Sequence, residues 1–164
     1  GWERKRLGEV APLKYGKALK EENRIAGTVP VFGSSGIVGT HDKALVQGPG
    51  IVVGRKGNAG SVFWSATDFF PIDTVFYIDF DRASLYYALL HKTFVSTDVA
   101  VPGLNRDYAH SHLILIPARP ILQSFEDVAG PLHAQVTKLQ HYNDQLASAR
   151  DLLLPRLMSG EIVV

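Results

Sequence analysis

The sequence predicts an α+β chain: a β-rich domain with one short helix over residues 1–120, then a long coiled-coil-type helix within residues 121–164. Three observations carry this. Twelve of the fifteen glycines fall in the first sixty residues, where they punctuate short apolar runs. After Pro120 the apolar pattern changes to a seven-residue repeat. Apolar residues make up 46% of the 164, enough for a real core and too many for a disordered chain.

The elements follow in order. The runs at 29–32, 37–38, 50–53 and 61–64 are strand-length and bounded by turn residues. Residues 74–78 (TVFYI) are dense in β-branched and aromatic side chains, which strands favour. Residues 112–116 (HLILI) form a further strand, ended by Pro117. A helix over 85–93, with Ser84 as its N-cap, interrupts them.

In the last third, Phe125, Leu132, Leu139, Leu146 and Leu153 recur every seven residues, accompanied by Leu122, Ala129, Val136, Asn143 and Arg150. Ser124 with Asp127 resembles a capping box, which starts this helix near Phe125. Gly130-Pro131 predicts a kink, with the main helix running from Leu132 to about Leu154 and Pro155 ending it. About 30 helical residues span roughly 45 Å, more than the roughly 30–35 Å width of a domain of this size. The seam residues Leu132, Val136, Leu139, Leu146 and Leu153 therefore require a partner helix, and Asn143 on the seam favours one register.

Charge is unevenly placed. Residues 1–60 carry ten Lys/Arg against five Asp/Glu, a net +5, while residues 122–164 carry three against five, a net −2. A basic front half suits a surface that faces phosphates. No run approaches the roughly 20 apolar residues of a membrane span, and the lack of cysteines favours a cytoplasmic protein. There are no cysteines, which excludes disulfides and Cys-based zinc sites. The chain opens at Gly1 rather than Met, as a trimmed N-terminus would.

Catalytic patterns are missing one by one. Gly33-Ser34-Ser35-Gly36 lacks the Lys-Ser/Thr of a phosphate-binding loop, and Gly54, Gly57 and Gly60 are not spaced as a dinucleotide fingerprint. There is no G-x-S-x-G elbow and no cysteine nucleophile. His110 and His112 would share one strand face, with no carboxylate cluster to complete a metal site; a polar edge or a DNA contact suits them better. Neither metal nor cofactor is expected.

What remains is suited to binding. Gly54-Arg55-Lys56-Gly57-Asn58-Ala59-Gly60-Ser61 is a basic, amide-bearing glycine loop between two strands, and Leu104-Asn105-Arg106-Asp107-Tyr108 repeats its chemistry in a second loop. Glycines let backbone approach a phosphate, and Arg, Lys and Asn read guanine and adenine edges. Such loops also serve as plain hairpin connections. The candidate DNA-binding residues are Arg55, Lys56, Asn58, Ser61, Asn105 and Arg106, with Lys17 and Lys43 as phosphate contacts.

Five stretches, in order, resemble the specificity subunit of type I restriction–modification systems. Trp2 with Leu7-Gly8-Glu9-Val10 is similar to the family's opening Trp and "LGEV" strand. Residues 29–39 (VPVFGSSGIVG) resemble "YPVYGSNGIIG", and residues 51–63 (IVVGRKGNAGSVF) resemble "ILIGRKGTIGKV". Residues 101–105 with 113–117 are similar to the "LN…IPIP" exit, and residues 151–162 (DLLLPRLMSGEI) to "LLPKLLSGEI". The resemblance covers nearly the whole chain. It departs in count, since the full subunit has two target-recognition domains and two helical regions where this chain has one of each.

The resemblance implies a prokaryotic, non-catalytic half-subunit, natural or excised. Its partners would be double-stranded DNA with a bipartite target, methyltransferase subunits that methylate an adenine, and a restriction subunit that can join for cleavage. In a full subunit the two helices pair antiparallel as a ruler between the recognition domains, so a half-subunit implies a homodimer through antiparallel C-terminal helices. Two other classes stay open: an adaptor that docks only to methyltransferase subunits, and a small nuclease.

Overall fold

The computed structural model describes residues 1–79, 82–94 and 103–162. Val101 and Pro102, at the head of one family-like stretch, lie outside the described residues. Three small sheets build the domain. Strand β1 (Glu3–Arg6) is followed by a helical turn, α1 (Leu7–Val10), then β2 (Lys14–Tyr15), a 3-10 turn (Glu21–Asn23), β3 (Val29–Gly33), β4 (Gly36–His41), β5 (Gly50–Gly54), β6 (Val62–Ser65), β7 (Phe70–Pro71) and β8 (Val75–Ile78). Helices α2 (Ala83–Leu90) and α3 (Arg106–Ser111), strand β9 (Leu113–Ile116) and helix α4 (Arg119–Met158) complete the chain.

The central sheet runs β2-β8-β5-β6, flanked by a β4-β3-β7 sheet and a β1-β9 ribbon. Strand β5 is buried along its whole length because strands pair on both sides and clusters pack on both faces. On one face lie Ile51, Val53, Phe76 and Ile78 with Leu7, Leu85, Leu89 and Ile114. On the other, Val52 and Val75 pack with Phe32, Val46 and Phe69. This is the two-residue alternation of a strand, read out as two cores.

The α+β class and each strand expected from apolar runs are present, with ends shifted by a few residues. Four local expectations fail for physical reasons. The LGEV stretch is a helical turn, and the strand is the preceding Glu3–Arg6; the turn puts Leu7 and Ala11, four apart and both fully buried, on one face. Ser84 is not the N-cap of α2, which starts at Ala83 and ends at Leu90. Its amides at Ala83 and Ser84 donate instead to the Glu126 carboxylate (both 3.1 Å), and the Ser84 hydroxyl donates there too. The 104–108 segment is not all loop: Asn105 caps α3, its Oδ1 accepting from the amides of Asp107 (2.8 Å) and Tyr108 (3.1 Å). His110 and His112 do not share a strand face; His110 is helical and its Nε2 accepts from the Leu13 amide at 2.8 Å.

The largest correction is to the last helix. It starts at Arg119, with Ala118 as N-cap and Pro120 in the first turn, and runs unbroken for 40 residues. The Ser124 hydroxyl donates to the Pro120 carbonyl inside the helix instead of capping it. Pro131 removes one hydrogen bond, but the pre-proline clash is eased because Gly130 has no Cβ. Pro155 lies in the last turn, where few bonds remain to lose. Forty residues make a rod of about 60 Å.

The first turns of α4 pack on the domain. His133 stands edge-on to Trp64 (4.4 Å between ring centroids) and near Tyr86 and Tyr87, while Phe125 meets Tyr87. No described residue of α4 is fully buried. The seam residues Leu132, Val136, Leu139, Leu146 and Leu153 are 48–67% exposed. Beside the first turns runs a groove of about 990 Å³, lined largely by apolar side chains including Leu85, Ile114, Ile116, Leu122, Phe125 and Leu132. Among the described residues, no helix is long and apolar enough to cross a membrane.

Candidate nucleic-acid interface

Segments far apart in sequence converge at the end of β5. After Gly54 the chain reverses tightly: Gly57 and Gly60 have φ of +75° and +84°, which side chains disfavour. A Cβ on Gly54 would sit 2.1 Å from the Asn58 carbonyl oxygen. The loop is fastened on three sides. Ser61 Oγ lies 2.7 Å from the Ser34 carbonyl and 2.9 Å from that of Asn58, tying in the β3–β4 turn. The amides of Arg55 and Lys56 both donate to the Thr74 carbonyl (2.9 and 3.0 Å). The Leu104 amide donates to the Arg55 carbonyl at 2.7 Å, and Lys56 bridges Gly103, so the two basic segments of the sequence form one unit.

Tyr15 is the centre of that unit. Strand β2 pairs with β8 so that Tyr15 lies opposite Phe76. The guanidinium carbons of Arg55 and Arg106 lie 5.0 and 4.9 Å from the Tyr15 ring centroid, within cation–π range. A cavity of about 230 Å³ opens here, lined by Tyr15, Arg55, Lys56, Leu104, Asn105 and Arg106. Among the described residues the cations are incompletely paired. Arg55 Nη1 donates to the Asp73 carbonyl (3.1 Å), Lys56 Nζ is 3.7 Å from the Asp73 carboxylate, and Arg106 Nε is 3.9 Å from that of Asp107. Pairs this long and half-exposed contribute little. Nearby His110 is held below the usual histidine range by burial and by the charge of Arg106, which fits an imidazole whose Nε2 accepts a hydrogen bond.

The expected residues divide accordingly. Arg55, Lys56, Asn105 and Arg106 line one cavity, and Asn58 and Ser61 belong to the same loop. Asn58 is exposed, while the Ser61 hydroxyl is engaged by two carbonyls and Asn105 Oδ1 by two amides. With both lone pairs of Oδ1 taken, Asn105 can offer only donors, so it does not fit the bidentate pattern that reads adenine. Lys17, exposed, follows Tyr15 by two residues, and Lys43, also exposed, sits on the separate turn after β4. Tyr15 itself escaped sequence reasoning, because a strand tyrosine reads as core; only the two arginines beside it mark it out. Among the described residues no group of three or more His, Cys, Asp or Glu could hold a metal.

A mixed β domain that gathers basic glycine turns round one ring, and carries a long helix with an exposed apolar seam, has the build of a recognition module. The profile of the family described as "Type I restriction modification DNA specificity domain" matches residues 1–105, and the chain belongs to that family. Over 64 residues it is 36% identical to the type I restriction enzyme MjaIX specificity subunit of Methanocaldococcus jannaschii, covering 39% of this chain and 15% of that protein. Its fold is similar to that of the type I restriction–modification S subunit from M. genitalium (TM-score 0.78, 17% identity, 97% of this chain and 46% of that one). It is also similar to the HsdS subunit from Thermoanaerobacter tengcongensis (TM-score 0.56, 15% identity, 99% and 46%). The chain thus spans less than half the length of these relatives.

Proposed function

We propose that this chain reads double-stranded DNA and directs methyltransferase subunits, with a restriction subunit that can join them, to a bipartite target, without itself transferring a methyl group or cutting. The observation that carries the reading is the joining of the Arg55-Lys56 and Asn105-Arg106 segments into one basic surface. Lys56, Asn58 and Arg106 face DNA from it, with Lys17 and Lys43 as phosphate contacts.

One recognition domain covers one half-site, and the helix supports a way to obtain the second. We infer an antiparallel homodimer through α4. In such a pair of 40-residue helices the partner's last turns, with Leu153, Leu154 and Leu157, lie over the first turns of this copy, beside the apolar groove. Alignment with just under half of each longer S subunit supports the same arrangement.

The test is sequencing for methylated sites in DNA from cells that express this chain with its methyltransferase subunit. The expected result is a two-part motif that relaxes when Asn58 is replaced, and methylation that falls at every site alike when Arg106 is replaced. Methylation that ignores both replacements would reject the DNA-reading assignment. Salt-independent or absent DNA binding, with methyltransferase docking intact, would identify an adaptor instead.

A further inference from the structure

We propose that the cavity around Tyr15 is a seat for one phosphodiester of the DNA backbone, that Arg55, Lys56 and Arg106 supply its donors, and that Tyr15 positions the two guanidiniums. This rests on the DNA-reading function and deepens it, because it separates a sequence-independent anchor from the base-reading residues of the same loop.

Two like charges held at one ring call for a cause. The Arg55 and Arg106 guanidinium carbons lie 5.0 and 4.9 Å from the Tyr15 centroid, and Arg55 is also 5.8 Å from the Phe76 centroid. The aromatic ring attracts each cation but neutralises neither. Among the described residues, the nearby carboxylates are Asp73, 3.7 Å from Lys56 Nζ, and Asp107, 3.9 Å from Arg106 Nε, both at the far edge of ion pairing. Arg106 Nε is buried and has no hydrogen-bond partner among the described residues. A buried donor without a partner is unfavourable unless a ligand completes it. An anion in the cavity would do so and would offset the mutual repulsion of three cations.

The chemistry selects phosphate over a base. The cavity's side chains present donors: two guanidiniums, an ammonium and the Asn105 amide, whose Oδ1 already accepts two backbone amides. An acceptor-only anion matches that set, and the guanidinium fork fits a phosphate's oxygens. Both guanidiniums lie over the Tyr15 ring, which hinders base stacking on it. Arg55 is further tied to the Asp73 carbonyl, so it is held back from extending into a groove as a guanine-reading arginine must. The seat is preorganised, since the Leu104 amide and the Lys56–Gly103 bridge lock its two walls together.

The experiment uses the purified chain and two readouts. First, binding to target and random duplexes is measured across salt for wild type, Arg106→Gln, Tyr15→Ala and Tyr15→Phe. Arg106→Gln and Tyr15→Ala should weaken both duplexes by the same factor and lower the slope of log K against log salt by about one. Tyr15→Phe, which keeps the ring, should bind like wild type. Weakening confined to the target duplex would make the cavity a base reader and overturn the proposal, as would unchanged binding of both duplexes. Second, the Arg106 Nε–H resonance is followed during titration with inorganic phosphate. It should shift in wild type and Tyr15→Phe and stay still in Tyr15→Ala; no shift in wild type overturns the seat. A phosphate shift in a chain that binds no duplex would retain an anion seat while refuting DNA reading. Wild-type duplex binding unaffected by Arg106→Gln would refute the seat and leave DNA reading intact.

Discussion

At the scale of single residues, the proposed division of anchoring from reading follows how firmly each side chain is already held. Asn58 is exposed in a loop whose backbone is fixed by Ser61 and Thr74, so its side chain is open to solvent on a held base. Asn58→Ala should cost about 1–3 kcal/mol of target binding and relax the motif at one base pair. Methylation mapping checks this, and an unchanged motif would exclude Asn58 from reading. His110 gives a different prediction. Its Nε2 accepts from the Leu13 amide, which protonation would prevent. Burial and Arg106 depress its proton affinity below the ordinary value of 6.5. Below that pH the unfolded chain binds protons more readily than the folded one, so folding stability falls as pH drops. Thermal melts from about pH 7.5 to about pH 5.5 should show this loss, and His110→Leu should lower the melting temperature at neutral pH while flattening the pH dependence. A pH slope as steep in His110→Leu as in wild type would remove His110 from the account.

At the scale of elements, what was legible in the sequence was whatever depends on neighbours along the chain. Residues 50–54 and 75–78 carry the period and composition of strands, and they are strands. Asn105 carries a local N-cap signal, since its amide oxygen can accept from the amides of Asp107 and Tyr108, two and three residues on. The cap of α2 was not legible at all, because it comes from Glu126, 42 residues beyond Ser84. For the same reason Tyr15 was invisible as a site residue: its partners Arg55 and Arg106 are set beside it by strand pairing and by the Leu104–Arg55 hydrogen bond. Two outcomes follow at this scale. Glu126→Ala removes the acceptor for two amides and should destabilise α2 and its contact with α4 by about 1–2 kcal/mol; faster amide exchange at Ala83 and Ser84 would report it. Pro131 is exposed and interrupts a helix that continues through it, so Pro131→Ala restores a donor without disturbing packing. It should stabilise the chain by about 1–3 kcal/mol, read as a higher melting temperature. A lower one would mean that the proline sets a bend the fold requires.

At the scale of the whole molecule, the proposed assembly rests on the length and exposed seam of α4. His133 marks the last ring contact between α4 and the domain, and about 25 further residues reach Met158. That overhang is about 37 Å at 1.5 Å per residue, close to the roughly 34–36 Å of one DNA turn. Leu132, Val136, Leu139, Leu146 and Leu153 remain 48–67% exposed along it, while a polar Asn143 interrupts the seam. Fully burying such a side chain is worth about 1.5–3 kcal/mol, so covering the half still in water should yield about 1 kcal/mol for each. Five per copy, counted on both copies of a two-fold pair, give on the order of 10 kcal/mol of apolar burial to set against the cost of association. Light scattering should therefore give a mass near twice 18.0 kDa. Leu139→Glu with Leu146→Glu should return the monomer and leave the recognition domain folded, since neither side chain touches the buried core. Because two identical domains would then read the two half-sites, the methylated motif should be an interrupted palindrome. A wild-type monomer at high micromolar concentration would refute the homodimer, and a single uninterrupted half-site would refute the ruler even if the dimer forms.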